Sequence, residues 1–363
     1  MRFRGHDGMI RLLSVLAVVL ALAGCAASEV VVPDPAPLQS ELEFTAPDGA
    51  RLPMRVWMPP GAVRAVVLAL HGFNDYAQAF QAPGEALAFH GFATYAYDQR
   101  GFGRAPERGL WAGEDRLVAD LVAATGFLRR RHPGVPLYLL GESMGGAVAV
   151  LAAVRERRRL DADGLILSAP AVWGRQTMGW PERSALWLGN RLFPGLTLTG
   201  GGLRIQASDN IEMLRGLSRD PLVIKATRID TLNGLVDLMG DALDAGPLVP
   251  LPVLYLYGGH DEIVPREPSL RMIETLPAEA RARIAWYANG YHMLLRDLDA
   301  AVVLGDIAAW IADPKAPLPS GADRYARLVL AAAANAKYGG ARAEPPPSSE
   351  AGKNLQADRL GLQ

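Results

Sequence analysis

The sequence predicts an α/β fold with a mostly parallel central sheet, flanking helices and a helical insertion. Short apolar runs bounded by glycine or proline alternate with segments of helical periodicity, which is typical of parallel strands joined by crossover helices. The chain has 363 residues, 50% of them hydrophobic, and can therefore bury a large core. The runs that predict buried strands are Ala65–Leu70, Phe92–Tyr97, Leu137–Leu140, Gly164–Leu167 and Val253–Tyr257.

The N-terminus, residues 1–24, is expected to be a signal peptide. Three arginines precede an apolar run of about a dozen residues, whereas a bilayer-spanning helix needs roughly 20. The run ends at Leu22-Ala23-Gly24-Cys25, which resembles a bacterial lipobox and implies cleavage before Cys25 and lipid attachment to it. The alternative is an ordinary secretory signal. Cys25 is the only cysteine, which favours lipidation and excludes an intrachain disulfide.

Lipidation at Cys25 would anchor the protein in the bacterial cell envelope. The next residue is Ala26 rather than an aspartate, which favours the outer membrane over the inner one by resemblance to lipoprotein sorting rules. Residues 25–41 are expected to form an extended tether because they contain several prolines and little apolar periodicity.

The main domain is expected to span residues 42–313. It begins with a predicted β-hairpin from Leu42 to Gly61, whose turn is Asp48-Gly49. Apolar residues at helical spacing predict a helix over Glu114–Arg131. Residues 314–363 are expected to be an extension with one helix over Asp323–Lys337, followed by a disordered tail.

A helical cap is predicted within this domain at about residues 171–250, because the strand and helix rhythm breaks there. Large apolar side chains crowd the segment among glycines and prolines; they are Trp173, Met178, Trp180, Trp187, Leu192 and Phe193. Of these, the three tryptophans and Phe193 either line an acyl-chain channel or belong to the core of the cap itself.

A candidate nucleophile lies between a predicted buried strand and a helix of small residues. Gly141-Glu142-Ser143-Met144-Gly145-Gly146 fits the pattern Gly-x-Ser-x-Gly, in which glycines allow a turn tight enough to present the hydroxyl. That hydroxyl would stand at the carboxyl end of the strand, where α/β sheets bind ligands. We predict that Ser143 is a nucleophile; the alternative is a glycine-rich turn with a capping serine.

A serine hydroxyl requires a general base and an acid that orients the base. On this type of turn the order along the chain is serine, acid, histidine. The acid candidates are Asp261 and the adjacent Glu262, which follow a predicted strand. Chain order leaves His260 and His292 among the six histidines, and we favour His292 because it lies C-terminal to both partners.

Acyl transfer also needs backbone N–H donors for the developing oxyanion. We assign one donor to Met144, after the nucleophile, and the other to Phe73, in the His71-Gly72-Phe73 loop that follows the first buried strand. His71 itself is predicted to hold that loop. This chemistry requires no cofactor and no metal.

From about Glu43 to Trp310 the chain resembles α/β-hydrolases of the monoacylglycerol lipase and lysophospholipase type, often labelled serine aminopeptidase-like. The resemblance implies the α/β-hydrolase fold and favours Asp261 over Glu262 as the acid. It rests on the motifs above together with Asp98-Gln99-Arg100-Gly101-Phe102-Gly103, Ser208-Asp209-Asn210 and Asp220-Pro221. We predict that Asp98 and Arg100 are structural, a charged pair that holds a loop.

The predicted function is hydrolysis of lipid esters, of monoacylglycerol or lysophospholipid type, through an acyl-enzyme on Ser143. An aminopeptidase or acyltransferase on the same fold is one alternative, and a non-catalytic envelope protein is another. The formal net charge of −1 gives no indication of a nucleic-acid partner. The expected partners are an ester substrate and, through Cys25, a membrane; the sequence leaves the oligomeric state open.

Overall fold

The computed structural model describes residues 42–200 and 205–338, so the predicted signal peptide, Cys25 and the tether lie outside the described residues. The strands are β1 (Leu42–Thr45), β2 (Arg51–Trp57), β3 (Ala65–Leu70), β4 (Phe92–Tyr97), β5 (Leu137–Glu142), β6 (Gly164–Ser168), β7 (Thr197–Thr199), β8 (Ala226–Arg228), β9 (Val253–Gly258) and β10 (Arg283–Tyr287). The helices are α1 (Gln81–Phe89), α2 (Glu114–Arg131), α3 (Met144–Arg155), α4 (Trp180–Leu192), α5 (Ile211–Arg219), α6 (Ile229–Ala245), α7 (Arg266–Thr275), α8 (Ala300–Ala312) and α9 (Ala322–Tyr338).

An eight-stranded sheet organises the domain, in the order β1-β2-β4-β3-β5-β6-β9-β10. The pairs from β4 to β10 are parallel, whereas β2 runs antiparallel to both of its neighbours. The predicted α/β class and mostly parallel sheet are therefore confirmed. The predicted hairpin is confirmed as well, since β1 and β2 pair around Asp48-Gly49.

The central strands are buried on both faces, which is why their sequences are continuous apolar runs rather than alternating ones. In β3, Val66, Leu68 and Leu70 belong to the core that also contains residues of α2, α3 and α6. The intervening residues Ala65 and Val67 belong to a second core with residues of α1 and α8. The sheet thus has a helical layer on each face.

Helix α6 lies within the segment predicted to be a cap, but it packs on α3 and buries one face that includes Leu238 and Ala242. It is the crossover helix that leads from β6 to β9. The part of the segment that departs from the sheet layers is residues 173–228, which we call the insertion. It contains α4, α5 and the two-stranded ribbon of β7 and β8.

The aromatic side chains of the insertion do not form a core of its own. Trp180, Trp187 and Phe193 are 76%, 61% and 57% exposed, and α4 buries no residue. Trp173 and Met178 instead pack against the core of the main domain. Among residues 42–200 and 205–338, no helix is long and apolar enough to cross a membrane.

The predicted C-terminal helix is observed as α9. Its residues Ala326 and Val329 are buried in the same core as α2 and α3, and α9 packs against β10 at the edge of the sheet. Asp323 in its first turn accepts a hydrogen bond from Arg283 at 3.0 Å. Residues 339–363, the predicted disordered tail, lie outside the described residues.

Candidate active site

Ser143 lies in the turn between β5 and α3, at the carboxyl end of a central strand. Its φ of 52° is unusual for a residue with a side chain, and such local strain is held only where surrounding contacts fix it. The N–H of Ser143 donates to the carbonyl oxygen of Ser168 at 2.9 Å, and its own carbonyl accepts from Gly146 and Ala171, each at 2.9 Å. The turn is therefore fixed from both sides.

The glycines of the motif are explained by close packing. A Cβ on Gly141 would lie 2.5 Å from the Cα of Gly146, and a Cβ on Gly145 would lie 2.2 Å from the carbonyl oxygen of Leu70. Both distances are far below the van der Waals contact distance. Both neighbours are backbone atoms, which cannot move aside as the end of a flexible side chain could. The strand, the turn and α3 thus approach so closely that only glycine fits at these positions.

His292 and Asp261 are brought together from the loops after β10 and β9. The Nδ1 of His292 lies 2.9 Å from Asp261 Oδ2, and the two side chains are 5% and 0% exposed. The other carboxylate oxygen accepts from the N–H groups of Ile263 at 2.8 Å and Val264 at 2.9 Å. With Nδ1 as the donor, Nε2 of His292 is left as the proton acceptor.

The alternative candidates have other partners. Glu262 accepts a hydrogen bond from the N–H of Gln206 in the insertion at 2.9 Å. His260 is exposed and lies edge-on to the ring of Tyr291. The geometry therefore favours Asp261 and His292 over their neighbours.

Two opposing effects set the pKa of His292. Burial lowers the pKa because it disfavours the charged imidazolium, whereas the nearby Asp261 carboxylate raises it by charge and by hydrogen bonding. Glu142 also raises the pKa and Arg296 lowers it. The carboxylates prevail, so the pKa of His292 lies above its ordinary value.

The loop after β3 lies directly against the turn of Ser143. A Cβ on Gly72 would lie 3.5 Å from the Cβ of Ser143. The N–H groups of Phe73 and Met144 donate to no acceptor within the described residues. They are therefore available to a ligand, as an oxyanion hole requires.

The structure confirms that His71 holds this loop. Its Nδ1 lies 2.8 Å from the carbonyl oxygen of Gly72, and its Nε2 accepts the N–H of Gln99 at 2.9 Å. The amide of Gln99 donates in turn to the His71 carbonyl at 2.8 Å. Burial lowers the pKa of His71, in keeping with a neutral ring.

Asp98 and Arg100 are structural, but they do not form the predicted pair with each other. Asp98 accepts the N–H groups of Ala77 at 2.9 Å and Arg104 at 2.8 Å. Arg100 instead donates to both oxygens of Asp120, at 2.7 and 2.9 Å. The prediction of a charged pair was wrong because each side chain leaves the turn toward a different partner.

The Ser208-Asp209-Asn210 motif of the insertion binds the loop after β10, which carries His292. Ser208 donates to Asp297 Oδ1 at 2.6 Å, and the other oxygen of Asp297 accepts the N–H of Tyr291 at 2.8 Å. The side chain of Asn210 donates to the carbonyl oxygen of Arg296 at 3.0 Å. The motif can be recognised in the sequence, but its partners in the loop after β10 are visible only in the structure.

The loop after β3 that contains Phe73 is likewise held by the insertion. The N–H of Ile224 donates to the carbonyl oxygen of Asn74 at 2.9 Å, and the side chain of Asn74 donates to Thr227 at 2.7 Å. The Tyr76 hydroxyl donates to Asp220 at 2.7 Å, which explains the Asp220-Pro221 motif. Asn74 has a φ of 64°, a conformation that asparagine tolerates better than most residues.

A serine on a strand-to-helix turn at the centre of a mostly parallel sheet is characteristic of α/β-hydrolases, and fold and site assign the chain to this class. Residues 61–299, more than half of the chain, match the family described as serine aminopeptidase, S33. The chain belongs to this family.

Similar proteins cover most of the chain. The monoacylglycerol lipase of Mycolicibacterium smegmatis is 24% identical over 75% of this chain and 97% of its own length. The monoglyceride lipase of Rattus norvegicus is 26% identical over 77% of this chain and 92% of its own length. The crystal structure of a variant of Saccharomyces cerevisiae monoglyceride lipase superposes with a TM-score of 0.63, at 22% identity, over 77% and 98% of the two chains. The α/β-hydrolase fold is thereby confirmed.

Proposed function

We propose that the protein is a serine hydrolase that cleaves carboxylic esters of lipids, of the monoacylglycerol or lysophospholipid type. The observation that carries this proposal is the buried His292–Asp261 hydrogen bond, formed by loops that lie at the same end of the parallel sheet as the turn of Ser143. A histidine held in this way has the tautomer that a serine nucleophile needs.

The reaction proceeds through an acyl-enzyme. Ser143 attacks the ester carbonyl while Nε2 of His292 accepts the hydroxyl proton, and Asp261 stabilises the imidazolium that forms. The N–H groups of Phe73 and Met144 stabilise the oxyanion. His292 then protonates the departing alcohol, and water releases the acyl group by the same route.

Two observations support a lipid ester as the substrate. The similar proteins from Mycolicibacterium smegmatis and Rattus norvegicus are monoacylglycerol and monoglyceride lipases aligned over nearly their whole length. The insertion also exposes large apolar side chains, and such exposed apolar surface is typical of sites that contact apolar ligands or lipid. These side chains are Trp180, Trp187, Leu188, Leu192, Phe193, Leu196 and Leu198.

An ester series from acetyl to dodecanoyl tests the substrate class. Because each buried methylene contributes about 0.8 kcal/mol, kcat/KM should rise by up to about fourfold per methylene while the acyl chain still finds apolar contacts. Ser143→Ala should abolish turnover of every ester. A preference for acetyl would refute the lipid assignment, and release of amino acids from aminoacyl anilides would indicate a peptidase instead.

The proposed location is the bacterial envelope, with the domain held by lipid on Cys25. Support comes from the lipobox-like Leu22-Ala23-Gly24-Cys25 and from the proline-containing segment after it. Cys25→Ser should shift the protein from the membrane fraction to the supernatant, and separation of inner and outer membranes should place the wild type in the outer one. Unchanged membrane retention of Cys25→Ser would refute lipidation.

A further inference from the structure

A buried arginine connects three of the four segments that carry the proposed active site. Arg296 lies in the turn that follows His292. Its Nη1 donates to Asp75 Oδ2 at 2.8 Å, and its Nη2 donates to Glu142 Oε1 at 2.9 Å. The side chains of Arg296, Asp75 and Glu142 are 8%, 8% and 2% exposed.

Each carboxylate belongs to a different part of the site. Glu142 is the last residue of β5 and precedes Ser143 directly. Asp75 lies two residues after Phe73 in the loop after β3, and its second oxygen accepts the N–H of the adjacent Tyr76 at 2.9 Å. The guanidinium of Arg296 therefore joins three segments. They are the turn at Ser143 (the nucleophile turn), the loop after β3 that contains Phe73 (the oxyanion loop) and the loop after β10 that contains His292 (the histidine loop).

The energetics of this cluster favour a geometric role. A buried ion pair contributes little net stability, because desolvation of the charges offsets their attraction. Burial lowers the pKa of Arg296, but the carboxylates of Glu142 and Asp75 raise it by more than burial lowers it. The pKa therefore lies above its ordinary value, and the guanidinium stays charged. Its planar fork holds two carboxylates in fixed directions, whereas a lysine ammonium is a single point donor.

We propose that Arg296 is a positioning residue that fixes the histidine loop and the oxyanion loop against the nucleophile turn. The proposal rests on the function proposed above. Arg296 acts through Asp75 and Glu142 rather than on the reacting atoms. Because a displacement of about 1 Å in a catalytic group can cost about 100-fold in rate, loss of the fork should lower kcat with little change in KM.

The cluster also leaves an electrostatic signature on His292. The charged groups that act on this histidine are Asp261 from the loop after β9, Glu142 from β5, and Arg296 from its own loop. Burial lowers the pKa of His292, the two carboxylates raise it, and Arg296 lowers it. The acid limb of kcat/KM is the fall in rate at low pH as His292 becomes protonated. Removing the positive charge of Arg296 should raise the pKa of His292 and shift this limb to higher pH, whereas removing the charge of Glu142 should lower the pKa and shift the limb to lower pH.

Four variants of the full chain separate positioning from stability. Arg296→Lys keeps the charge and loses the fork; we expect at least about a tenfold loss of kcat with the acid limb at the wild-type pH. Arg296→Met should show a similar loss and an acid limb at higher pH. Glu142→Gln should move the acid limb to lower pH. Arg100→Lys is the matched control, a buried arginine between Asp120 and Asp48 whose change should leave kcat and the acid limb unaltered.

The measurements are kcat and KM for a water-soluble ester across pH, thermal unfolding, and labelling of Ser143 by a fluorophosphonate. The proposal is overturned if folded Arg296 variants keep kcat within twofold of the wild type, or lose no more than Arg100→Lys. If Arg296→Met does not fold, Arg296→Lys and Glu142→Gln decide. A wild type that is neither labelled nor active refutes the proposed function as well, whereas an active, labelled wild type with unaffected Arg296 variants refutes the positioning role alone.

Discussion

The substitution Asp261→Asn tests the orientation of His292. Oδ1 of Asp261 accepts the N–H groups of Ile263 and Val264, at 2.8 and 2.9 Å. In the asparagine variant these two donors require the amide oxygen at that position, so the NH2 group faces His292 Nδ1. The histidine must then accept at Nδ1 and carry its proton on Nε2, where it can no longer take the proton from Ser143.

The expected loss is large because the wrong tautomer, rather than a missing contact, limits the reaction. A change of this kind in a serine triad lowers kcat by about 10⁴-fold, which corresponds to about 5 kcal/mol of activation free energy. Hydrolysis of a p-nitrophenyl ester at neutral pH measures it. The loop after β9 should keep its structure, because the amide oxygen of the asparagine side chain still accepts the N–H groups of Ile263 and Val264.

Glu262→Gln is the matched control, since it makes the same chemical change in the adjacent residue. Glu262 binds a backbone N–H of the insertion and does not contact His292, so kcat should change by less than about twofold. If folded Asp261→Asn retained more than a tenth of the wild-type kcat, or if Glu262→Gln lost as much as Asp261→Asn, the assignment of the acid would be refuted.

Three further predictions concern packing, pH and charge. Gly145→Ala places a Cβ 2.2 Å from a backbone carbonyl oxygen of β3 and should lower the free energy of unfolding, measured in urea titrations, by about 1–3 kcal/mol or more. The control is Gly216→Ala, where the Cβ meets nothing within 4 Å and the free energy of unfolding should not fall. His292 must be neutral to accept a proton, and its pKa is raised above the ordinary value of about 6.5. We therefore expect kcat/KM to fall as the pH decreases through a value above about 6.5. A fall that begins only below that value would contradict the assignment of His292 as the base. Arg100→Met leaves the carboxylate of Asp120 buried without its partner and should cost about 3–5 kcal/mol of stability; a loss below about 1 kcal/mol would disprove this.

Local packing explains why so much of the fold could be predicted from the sequence. Parallel strands covered by helices on both faces need apolar side chains in both directions, so Ala65–Leu70 and Val253–Gly258 stand out as continuous runs. The strand-to-helix turn at Ser143 could be predicted for a related reason. The steric demands on Gly141 and Gly145 act between residues close in the chain or in the adjacent strand, and they leave a recognisable spacing.

The features that could not be predicted depend on contacts between distant segments. Arg296 reaches Asp75 and Glu142 across separations of 221 and 154 residues, and no local spacing records such a contact. The only available signals were an arginine shortly after His292 and an acidic residue before Ser143.

Two local expectations failed for the same reason. Arg100 was expected to pair with its neighbour Asp98, but the turn directs it to Asp120 on α2. The break in the strand and helix rhythm places helix α6 in the predicted cap, whereas its apolar face packs on α3. In both cases the tertiary arrangement, rather than proximity along the chain, decides the partner.

Active-site labelling tests whether Ser143 is the nucleophile. The wild type should react with a fluorophosphonate, and mass spectrometry of the digested protein should find the adduct on the peptide that contains Ser143. Ser143→Ala should remain folded and unlabelled. Labelling of Ser143→Ala at the wild-type rate, or an adduct on a different residue, would show that Ser143 is not the nucleophile.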